Sequence, residues 1–592
     1  MVPLSYTVRV PEPDERVLRV EVEVPEVDAD ALDMQLPVWT PGSYLIREYP
    51  RHVQDLEAHS GGGRALDVEK SDKATWVIDC PDAERVVVEY AVYAHDLNVR
   101  EKHVDDAHAF FNPTAVYLRP ADRRDSPAEL SVEEVPEDWN VHCPLPASAD
   151  TAGEWHAEDL DHLYDATVEM GDHEELTFEA AGTTHRMVFR GEGNWDRERL
   201  ERDLPHVVEA NAELFGGDVP YDDYLFVTLL SGGDYGGLEH RNSTALIYPR
   251  DQFGTPAGND EPPIDDDDYL NFLSLVAHEQ FHVWNVKRLF PEPLERPDYQ
   301  REEYVRQLWT IEGVTSYYDR LALLRGDRID VETFLEMIGD RMARYDRTPG
   351  RRRDSIEEAG FDAWIKHYRR DEHTDNLTVS YYLKGALVAM LLDLRIRGES
   401  RGEHSLDDLV RHLWSTFGPP DPEGFPEGTY RRLAAEFAGV DLDPFFDDLV
   451  AGSGDIDWNR RLDPVGLKLE TELGDEPEAR LGVRADWTGD DLRIETVLEG
   501  TPAHQAGLHP GDRLVAIDGR ELDRDRDLDD RLERTEPGES VPIHFFRRDK
   551  LSSRDVRLDR RPPTEYNLVR ADGASGEQLA RLDEWLGTSD VD

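Results

Sequence analysis

The sequence predicts a multidomain α+β protein, and three successive patterns along the chain support that prediction. Apolar and polar residues first alternate as in strands, with Pro, Gly and Asp between the runs. Helical spacing then dominates from about residue 270 to 450, and strand-like runs return after a glycine linker at 452–454. A chain of 592 residues is too long for one core. We therefore expect domains at 1–175, 176–455 and 463–562, and a polar tail with a short helix at 563–592.

Local patterns support each domain. Residues 17–24 largely alternate and residues 85–93 are rich in β-branched and aromatic side chains, which predicts an N-terminal antiparallel β-sandwich. The second domain opens with strand signals at 184–190 and 224–230 and then turns mostly α-helical. Residues 405–408, Ser-Leu-Asp-Asp before an apolar run, predict a capping box at the start of one of its helices.

The charge balance is extreme. Asp and Glu number 128 against 66 Lys and Arg, which gives a formal net charge of −62. So much like charge opposes compaction at low salt, whereas molar salt shortens the screening length to about 3 Å. The balance, together with scarce lysine, is typical of a salt-accumulating halophile. Nucleic acid and anionic membranes are disfavoured as partners, because both require clustered positive charge.

The termini and cysteines indicate a cytoplasmic protein. The chain opens directly on a strand-like pattern without a basic and apolar leader, so we expect no secretion signal. No apolar run is long enough to span a bilayer. Cys80 and Cys143 are the only cysteines, too few for a disulfide framework.

The pentapeptide His278-Glu279-Gln280-Phe281-His282 predicts a metal site. On a helix, expected here over about 270–286, the two histidines stand one turn apart on one face with Glu279 beside them. Zinc requires a third ligand, and Glu312 is the candidate, on a second predicted helix from about 302 to 324. One Zn²⁺ per chain would keep its fourth position for a water that Glu279 can deprotonate.

Residues 502–519 form a helical turn, a glycine-punctuated loop and a strand that ends in a hairpin turn, a pattern that resembles a PDZ domain. Upstream, Leu481, Gly482 and Val483 match the family's carboxylate-binding loop, which receives a peptide C-terminus while the neighbouring strand adds the peptide to the sheet. Two interpretations stay open. The groove either binds a peptide end, or the fold serves only for internal packing.

With this segment in view, the whole chain resembles the glycyl aminopeptidase family of zinc metallopeptidases, of the gluzincin type. The likeness rests on five segments in order, at residues 36–47, 236–243, 278–288, 312–318 and 381–385. The resemblance implies a thermolysin-like catalytic domain between the β-sandwich and the PDZ domain. It also implies removal of a small N-terminal residue, glycine or alanine, from peptides.

The resemblance assigns a substrate loop. Gly236 and Gly237 match glycines that let the backbone run beside the substrate, and Glu239 matches the acid that pairs with the free α-ammonium. His240 departs from the relatives, which carry an amide side chain there. The shape of the pocket beside the amine therefore stays open.

Two more side chains complete the expected site. Tyr382, just before Lys384-Gly385, matches the tyrosine that donates a hydrogen bond to the tetrahedral oxyanion, and its neighbour Tyr381 is the alternative. Asp319, two helical turns after Glu312, is expected either to orient a ligand histidine or to be an exposed helical acid.

The sequence therefore predicts a zinc aminopeptidase whose partners are peptides. Glu279 acts as the base, the metal and Tyr382 stabilise the oxyanion, and Glu279 protonates the leaving amine. One alternative is an endopeptidase to which the PDZ domain presents C-terminal tails. A second alternative is a catalytically inert protein that uses its PDZ domain to bind peptides.

Overall fold

The structure is a computed structural model that describes residues 2–148, 151, 153–254, 266–524 and 526–587. It confirms the predicted fold class: a β-rich N-terminal domain, a mixed and then mostly helical region, and a C-terminal PDZ domain. The chain divides into two compact units. Unit 1 comprises residues 1–303, 318–329 and 411–426, and unit 2 comprises residues 304–317, 330–410 and 427–592.

The first 171 residues form two sheets around one apolar core. The elements are β1 (Leu4–Arg9), β2 (Val17–Pro25), β3 (Ala31–Gln35), β4 (Val53–Ser60), β5 (Ala65–Lys70), β6 (Thr75–Asp79), β7 (Arg85–Tyr93), β8 (Lys102–Val104), β9 (His108–Phe111), β10 (Arg119–Pro120), β11 (Ala128–Glu133), β12 (Asn140–His142), β13 (Glu154–Ala157), α1 (Leu160–Tyr164) and β14 (Val168–Gly171). Ten strands follow the order β10-β3-β6-β5-β4-β7-β2-β1-β11-β13, and four follow β12-β14-β9-β8.

Alternation explains why these strands share a core. In β2, Leu18, Val20, Val22 and Val24 are buried, because side chains two residues apart point to the same face. Residues of both sheets belong to the same buried cluster, which includes Phe111 from the smaller sheet. The predicted sandwich departs from a purely antiparallel arrangement at one place, where β1 and β11 pair in parallel.

Residues 174–281 of unit 1 build a further, mixed sheet with two helices. Its elements are β15 (Glu174–Ala180), β16 (Thr183–Arg190), α2 (Arg197–Leu214), β17 (Asp223–Ser231), β18 (Gly236–Glu239), β19 (Ser243–Pro249) and α3 (Asp267–Phe281). The strand order is β15-β16-β17-β19-β18, so β18 is an edge strand.

Helix α3 begins at an N-cap, because the Asp266 carboxylate accepts the backbone N–H of Tyr269. The predicted end of this helix, at residue 286, is wrong. The chain leaves the helix after Phe281 in tight turns, and Val286 has a φ of 133°. The turn lets the carbonyl of Asn285 reach the His282 ring, at 2.8 Å from Nδ1.

The helical region contains a π-turn at Trp309–Gly313, followed by α4 (Val314–Arg325), α5 (Val331–Asp346), α6 (Ile356–Phe361), α7 (Thr374–Leu377), α8 (Leu383–Glu399), α9 (Leu406–Phe417), α10 (Thr429–Ala438), α11 (Asp443–Leu449) and α12 (Trp458–Leu462). The predicted start of the second motif helix, at residue 302, is wrong, since the Glu303 carboxylate instead accepts the backbone N–H of Asp298 at 3.0 Å. At α9, the Asp408 carboxylate accepts the backbone N–H of Ser405, half of the predicted box.

The C-terminal region contains β20 (Leu467–Glu472), β21 (Ala479–Arg480), β22 (Val483–Thr488), β23 (Asp491–Val497), α13 (Pro502–Ala506), β24 (Arg513–Ile517), β25 (Arg520–Glu521), α14 (Leu528–Leu532), β26 (Ser540–Arg547), β27 (Lys550–Arg557), β28 (Asp559–Arg560), β29 (Glu565–Arg570) and α15 (Gly576–Leu586). The PDZ sheet has the order β22-β23-β24-β26-β27, with β25 paired to β24. The predicted terminal helix is present as α15 and buries Trp585. Residues 588–592 of the predicted tail lie outside the described residues.

Across the part of the chain described, no helix combines the length and apolar character needed to cross a bilayer.

Candidate metal centre and active site

Helix α3 presents two imidazoles side by side in unit 1. The Nε2 atoms of His278 and His282 lie 3.2 Å apart, and the ring planes are nearly perpendicular. Two Zn–N bonds of about 2.0–2.1 Å at a tetrahedral angle would separate the nitrogens by about 3.3–3.4 Å. The pair therefore has the geometry of two ligands of one tetrahedral ion.

The outer nitrogen of each ring faces a fixed acceptor. His278 Nδ1 lies 3.3 Å from the Asp319 carboxylate, and His282 Nδ1 lies 2.8 Å from the carbonyl oxygen of Asn285. A ring that donates from Nδ1 presents an unprotonated Nε2, which is the state that a metal requires. The Asp319 side chain is buried beside His278, so it is not the exposed helical acid of the second expectation.

Two buried carboxylates stand beside the pair. Glu239, Glu279 and His282 can each offer one ligand atom within 4.8 Å of the others, and both acids are only 5% exposed. Glu279 comes from α3 and Glu239 from the edge strand β18. Both acids therefore lie close to His282. Apart from any role as metal ligands, one of them can accept and return a proton while the other supplies a second carboxylate.

Glycines make room for these two acids. A Cβ on Gly237 would lie 2.2 Å from Oε1 of Glu279, and a Cβ on Gly42 would lie 2.5 Å from Oε1 of Glu239. Gly42 also has a φ of +82°, which disfavours any side chain. Gly42 was predicted only as part of the family segment at 36–47, not as a residue that leaves space for Glu239. The signal for that role is the Pro41-Gly42 turn, which follows the buried Thr40.

Glu239 also lines a cavity of about 500 Å³ in unit 1, together with Thr40, Gly42, Tyr44 and Lys287. Asp165 lines it as well and accepts hydrogen bonds from Lys287 Nζ at 2.7 Å and from the backbone N–H of Arg241 at 2.9 Å. Burial acts to raise the pKa of Asp165, but Lys287 and His240 hold it well below its usual range. Asp165 is therefore ionised at the wall of this cavity.

The structure accounts for His240, the departure from the family pattern. Its Nδ1 lies 3.0 Å from the Asp165 carboxylate, and its side chain is 2% exposed. The ring therefore supports Asp165 at the cavity wall.

Unit 2 brings together Glu312 and Tyr382. Glu312 is 3% exposed in the π-turn, a widened turn that is frequent at functional sites. Burial, and then the charge of Glu312, raises the pKa of the Tyr382 phenol well above its usual value, so the phenol stays protonated and able to donate. A Cβ on Gly313 would lie 2.5 Å from the Gly385 Cα, so the two glycines allow the close backbone approach.

The two candidate tyrosines differ in exposure. Tyr381 is fully buried, whereas Tyr382 is partly exposed, and their rings are 4.8 Å apart. The ring of His367 lies 4.9 Å from Tyr381 and 5.3 Å from Tyr382. His367 was not predicted as a site residue, because a lone histidine between Lys366 and Tyr368 gives no spacing signal.

The PDZ domain has a groove of about 540 Å³ in unit 2. Leu481, Gly482 and Val483 line it on the side of β22, and Leu528 and Leu532 line it from α14. Gly482 has a φ of +86°, and β22 stands at the end of its sheet. The residues of the predicted carboxylate-binding loop therefore lie at the mouth of a groove beside an edge strand.

Comparisons with known proteins agree with this architecture. Family models match the Peptidase M61 N-terminal domain at residues 5–172, the M61 glycyl aminopeptidase at 271–388 and the PDZ domain at 479–558. The crystal structure of an aminopeptidase N family protein from Idiomarina loihiensis is 31% identical, with a TM-score of 0.92 over 98% of this chain and 100% of that one.

Structures of yeast LTA4 hydrolase, native and with bestatin, are 13% identical and cover 77% and 76% of this chain and 68% of theirs, with TM-scores of 0.45 and 0.46. No curated protein sequence matches the chain.

By fold and site the protein is a peptidase of the metallo-aminopeptidase class. Within that class, the chain belongs to the M61 glycyl aminopeptidase family, as the sequence resemblance predicted.

Proposed function

We propose that the protein is a zinc-dependent aminopeptidase that removes a single small N-terminal residue, preferably glycine or alanine, from peptides. One observation carries this proposal: a second buried acid, Glu239, stands beside the acid and the histidine of the metal motif. A metallo-endopeptidase needs the base and the ligands but has no use for a fixed anion at the substrate's amine.

In this proposal His278, His282 and Glu312 hold the metal. The 3.2 Å between the two Nε2 atoms and the acceptors on both Nδ1 atoms fit zinc. For Glu312 the support comes from its helix. Glu312 is 3% exposed and lies in the π-turn that continues directly into α4, seven residues before Asp319 in the chain. Bound zinc would act as a Lewis acid and lower the pKa of a coordinated water to about 7.

The chain's own residues carry the proton and the charge. Glu279 takes the proton of the attacking water and returns it to the departing amine. Tyr382 donates a hydrogen bond to the oxyanion, which forms only in the transition state. Its partial exposure and its electrostatic contact with Glu312 favour it over the fully buried Tyr381.

Glu239 pairs with the α-ammonium of the substrate, and the edge strand β18, with Gly236 and Gly237, runs beside the peptide. An anion fixed at this place makes the enzyme cut one residue from the N-terminus. The preference for small residues rests on family likeness.

The test compares hydrolysis of alanyl and glycyl peptides with that of their N-acetylated forms. We expect the wild type to cleave only the free amines, and Glu239→Gln to lose most of this activity, since it removes the charge and keeps the shape. Glu192→Gln, at an exposed position of the same unit, is the control. Cleavage of acetylated peptides at a comparable rate would establish the endopeptidase alternative.

The inert alternative is tested by metal removal. We expect a chelator to abolish hydrolysis and stoichiometric Zn²⁺ to restore it. An enzyme that is inactive in both states, yet binds peptides through its PDZ domain, would be the binding protein of the second alternative.

We further propose that the PDZ groove binds a peptide C-terminus through the loop at Leu481, Gly482 and Val483. The groove volume and the edge position of β22 support this role. Binding of a labelled peptide with a free C-terminus, but not of its amide, is the expected result. Equal binding of both would contradict carboxylate recognition.

The remaining proposals concern setting and organisation. We propose a halophilic cytoplasmic enzyme with a β domain at 1–175, a thermolysin-like catalytic domain at 176–455, a PDZ domain at 463–562 and a tail at 563–592. The net charge of −62 supports the halophilic setting. Its test is the melting temperature, which should rise as KCl increases from ~0.1 M to molar concentrations. A melting temperature independent of salt would contradict it.

A further inference from the structure

A second cluster of possible metal ligands lies in the β-rich domain, on the hairpin formed by β8 and β9. His103, Asp105 and His108 can each offer one ligand atom within 4.8 Å of the others. The hairpin register explains the grouping. Residues 103 and 105 are two apart and share a face, and the backbone N–H of Asp105 bonds to the carbonyl of His108 directly across the turn.

Both imidazole rings of this hairpin cluster are held by acceptors that do not belong to the cluster. His108 Nδ1 lies 2.9 Å from the Glu169 carboxylate, and His103 Nδ1 lies 2.9 Å from the carbonyl oxygen of His95. A ring that donates from Nδ1 presents an unprotonated Nε2 on its opposite side. The Nε2 of His103 faces Oδ2 of Asp105 at 3.1 Å, so two acceptors face each other unless a cation or a second proton lies between them.

The two carboxylate oxygens of Asp105 have different partners. Oδ1 of Asp105 accepts the backbone N–H groups of Ala107 and His108, which leaves Oδ2 for His103 and, at 3.8 Å, for Arg190.

Glu169 supports the cluster from the neighbouring strand β14. It is fully buried, and its Oε1 atom also lies 2.6 Å from Nε2 of His173. A buried carboxylate that accepts from the outer nitrogen of an imidazole is the usual partner of a metal-binding histidine.

We propose that the hairpin binds one transition-metal dication of the Zn²⁺ type through Nε2 of His103, Oδ2 of Asp105 and Nε2 of His108. Two imidazoles favour zinc over Mg²⁺ or Ca²⁺, which prefer all-oxygen sites. The ion fastens the β8–β9 turn to β14 through the contact between His108 and Glu169. With three protein ligands, the site leaves one tetrahedral position of the ion for a water. It does not depend on the proposed peptidase mechanism.

The experiment measures Zn²⁺ bound per chain in the full-length protein, by elemental analysis after dialysis against buffered Zn²⁺. The variant His278→Gln/His282→Gln removes the α3 pair, so any ion that remains reports on the hairpin. We expect one ion in this background, and none after the further change His103→Gln or Asp105→Asn. Asp105→Asn keeps the Oδ1 acceptor of the turn, so its fold should survive, and circular dichroism checks this. His156→Gln, on the exposed face of β13, is the matched control and should keep the ion.

Two results would overturn the proposal. The first is absence of Zn²⁺ from the variant that lacks only the α3 pair, which would mean that a protonated His103 simply pairs with Asp105. The second is an unchanged ion content after Asp105→Asn and His103→Gln. Both results leave the peptidase proposal intact, because that proposal is read from the wild type's hydrolysis and its response to chelation.

Discussion

Two imidazole pairs of unit 1, on α3 and on the β8–β9 hairpin, resemble each other in their outer contacts although they stand on different backbones. On α3, His278 faces a carboxylate and His282 faces a backbone carbonyl. On the β8–β9 hairpin, His108 faces a carboxylate and His103 faces a backbone carbonyl. The ring centroids are 4.8 Å apart in the first pair and 5.0 Å apart in the second. A helical turn and a hairpin thus give their imidazoles the same two kinds of outer contact, although the ring planes meet at 83° in the first pair and at 35° in the second.

The difference lies in what stands beside each pair. Next to the α3 pair, Glu279 and Glu239 occupy space that Gly237 and Gly42 keep clear. Next to the hairpin pair, Asp105 is tied to backbone amides and Glu169 is enclosed between two histidines. Paired imidazoles therefore predict metal binding, whereas catalysis also requires an acid with room for a substrate next to it.

The largest expected effect separates base from ligand. Glu279→Gln should reduce kcat about 10²- to 10⁴-fold, the usual contribution of a general base, while the bound zinc is retained. Peptide hydrolysis and elemental analysis of the same sample measure both quantities. Glu209→Gln, an exposed acid on α2, should behave as the wild type. Hydrolysis at near the wild-type rate in Glu279→Gln would refute its role as the base.

The next effect concerns the two outer carboxylates. Asp319→Asn should weaken zinc binding at the α3 pair about 10- to 100-fold, and Glu169→Gln should do the same only at the hairpin. Competition with a zinc-binding dye measures both affinities, and hydrolysis at limiting Zn²⁺ should fall only for Asp319→Asn. The exposed Asp327→Asn is the control. Loss of hydrolysis in a well-folded Glu169→Gln protein would contradict the division of roles.

The smallest effect tests the cleared space at Glu239. Gly42→Ala and Gly63→Ala both place alanine at a φ near +80°, which costs about 1–2 kcal/mol in either case. Only at Gly42 does the new Cβ meet Glu239, since nothing lies within 4 Å of a Cβ at Gly63. We expect kcat/KM for free-amine peptides to fall roughly tenfold more in Gly42→Ala, which corresponds to about 1.4 kcal/mol. Equal losses in the two variants would show that backbone strain alone is responsible.

The sequence was sufficient for the order of domains and for the side-by-side histidines, because helical and strand periodicities are local signals. It was insufficient for the ends of the two motif helices, where the Asn285 carbonyl turns back to His282 and Glu303 turns back to Asp298. These contacts are decided by side chains that compete with the helix for backbone groups.

Contacts between distant segments were also out of reach. Gly42 meets Glu239, and Glu169 meets His108, only because separate strands are brought together by the fold. A signal for the hairpin cluster was present, since His103 and Asp105 alternate on one strand and His108 follows the turn. Without the partner strand, that pattern cannot be distinguished from an ordinary polar hairpin.

The position of Gly42 limits how this architecture can be recombined. The residue belongs to the β-rich domain, yet it sets the free volume around an acid of the mixed sheet. A chimera that exchanges the first domain between relatives would therefore inherit the cavity around Glu239 from two parents. Such exchanges should succeed only where the loop around Gly42 and the strand of Glu239 come from the same parent, so the two segments are expected to be inherited together.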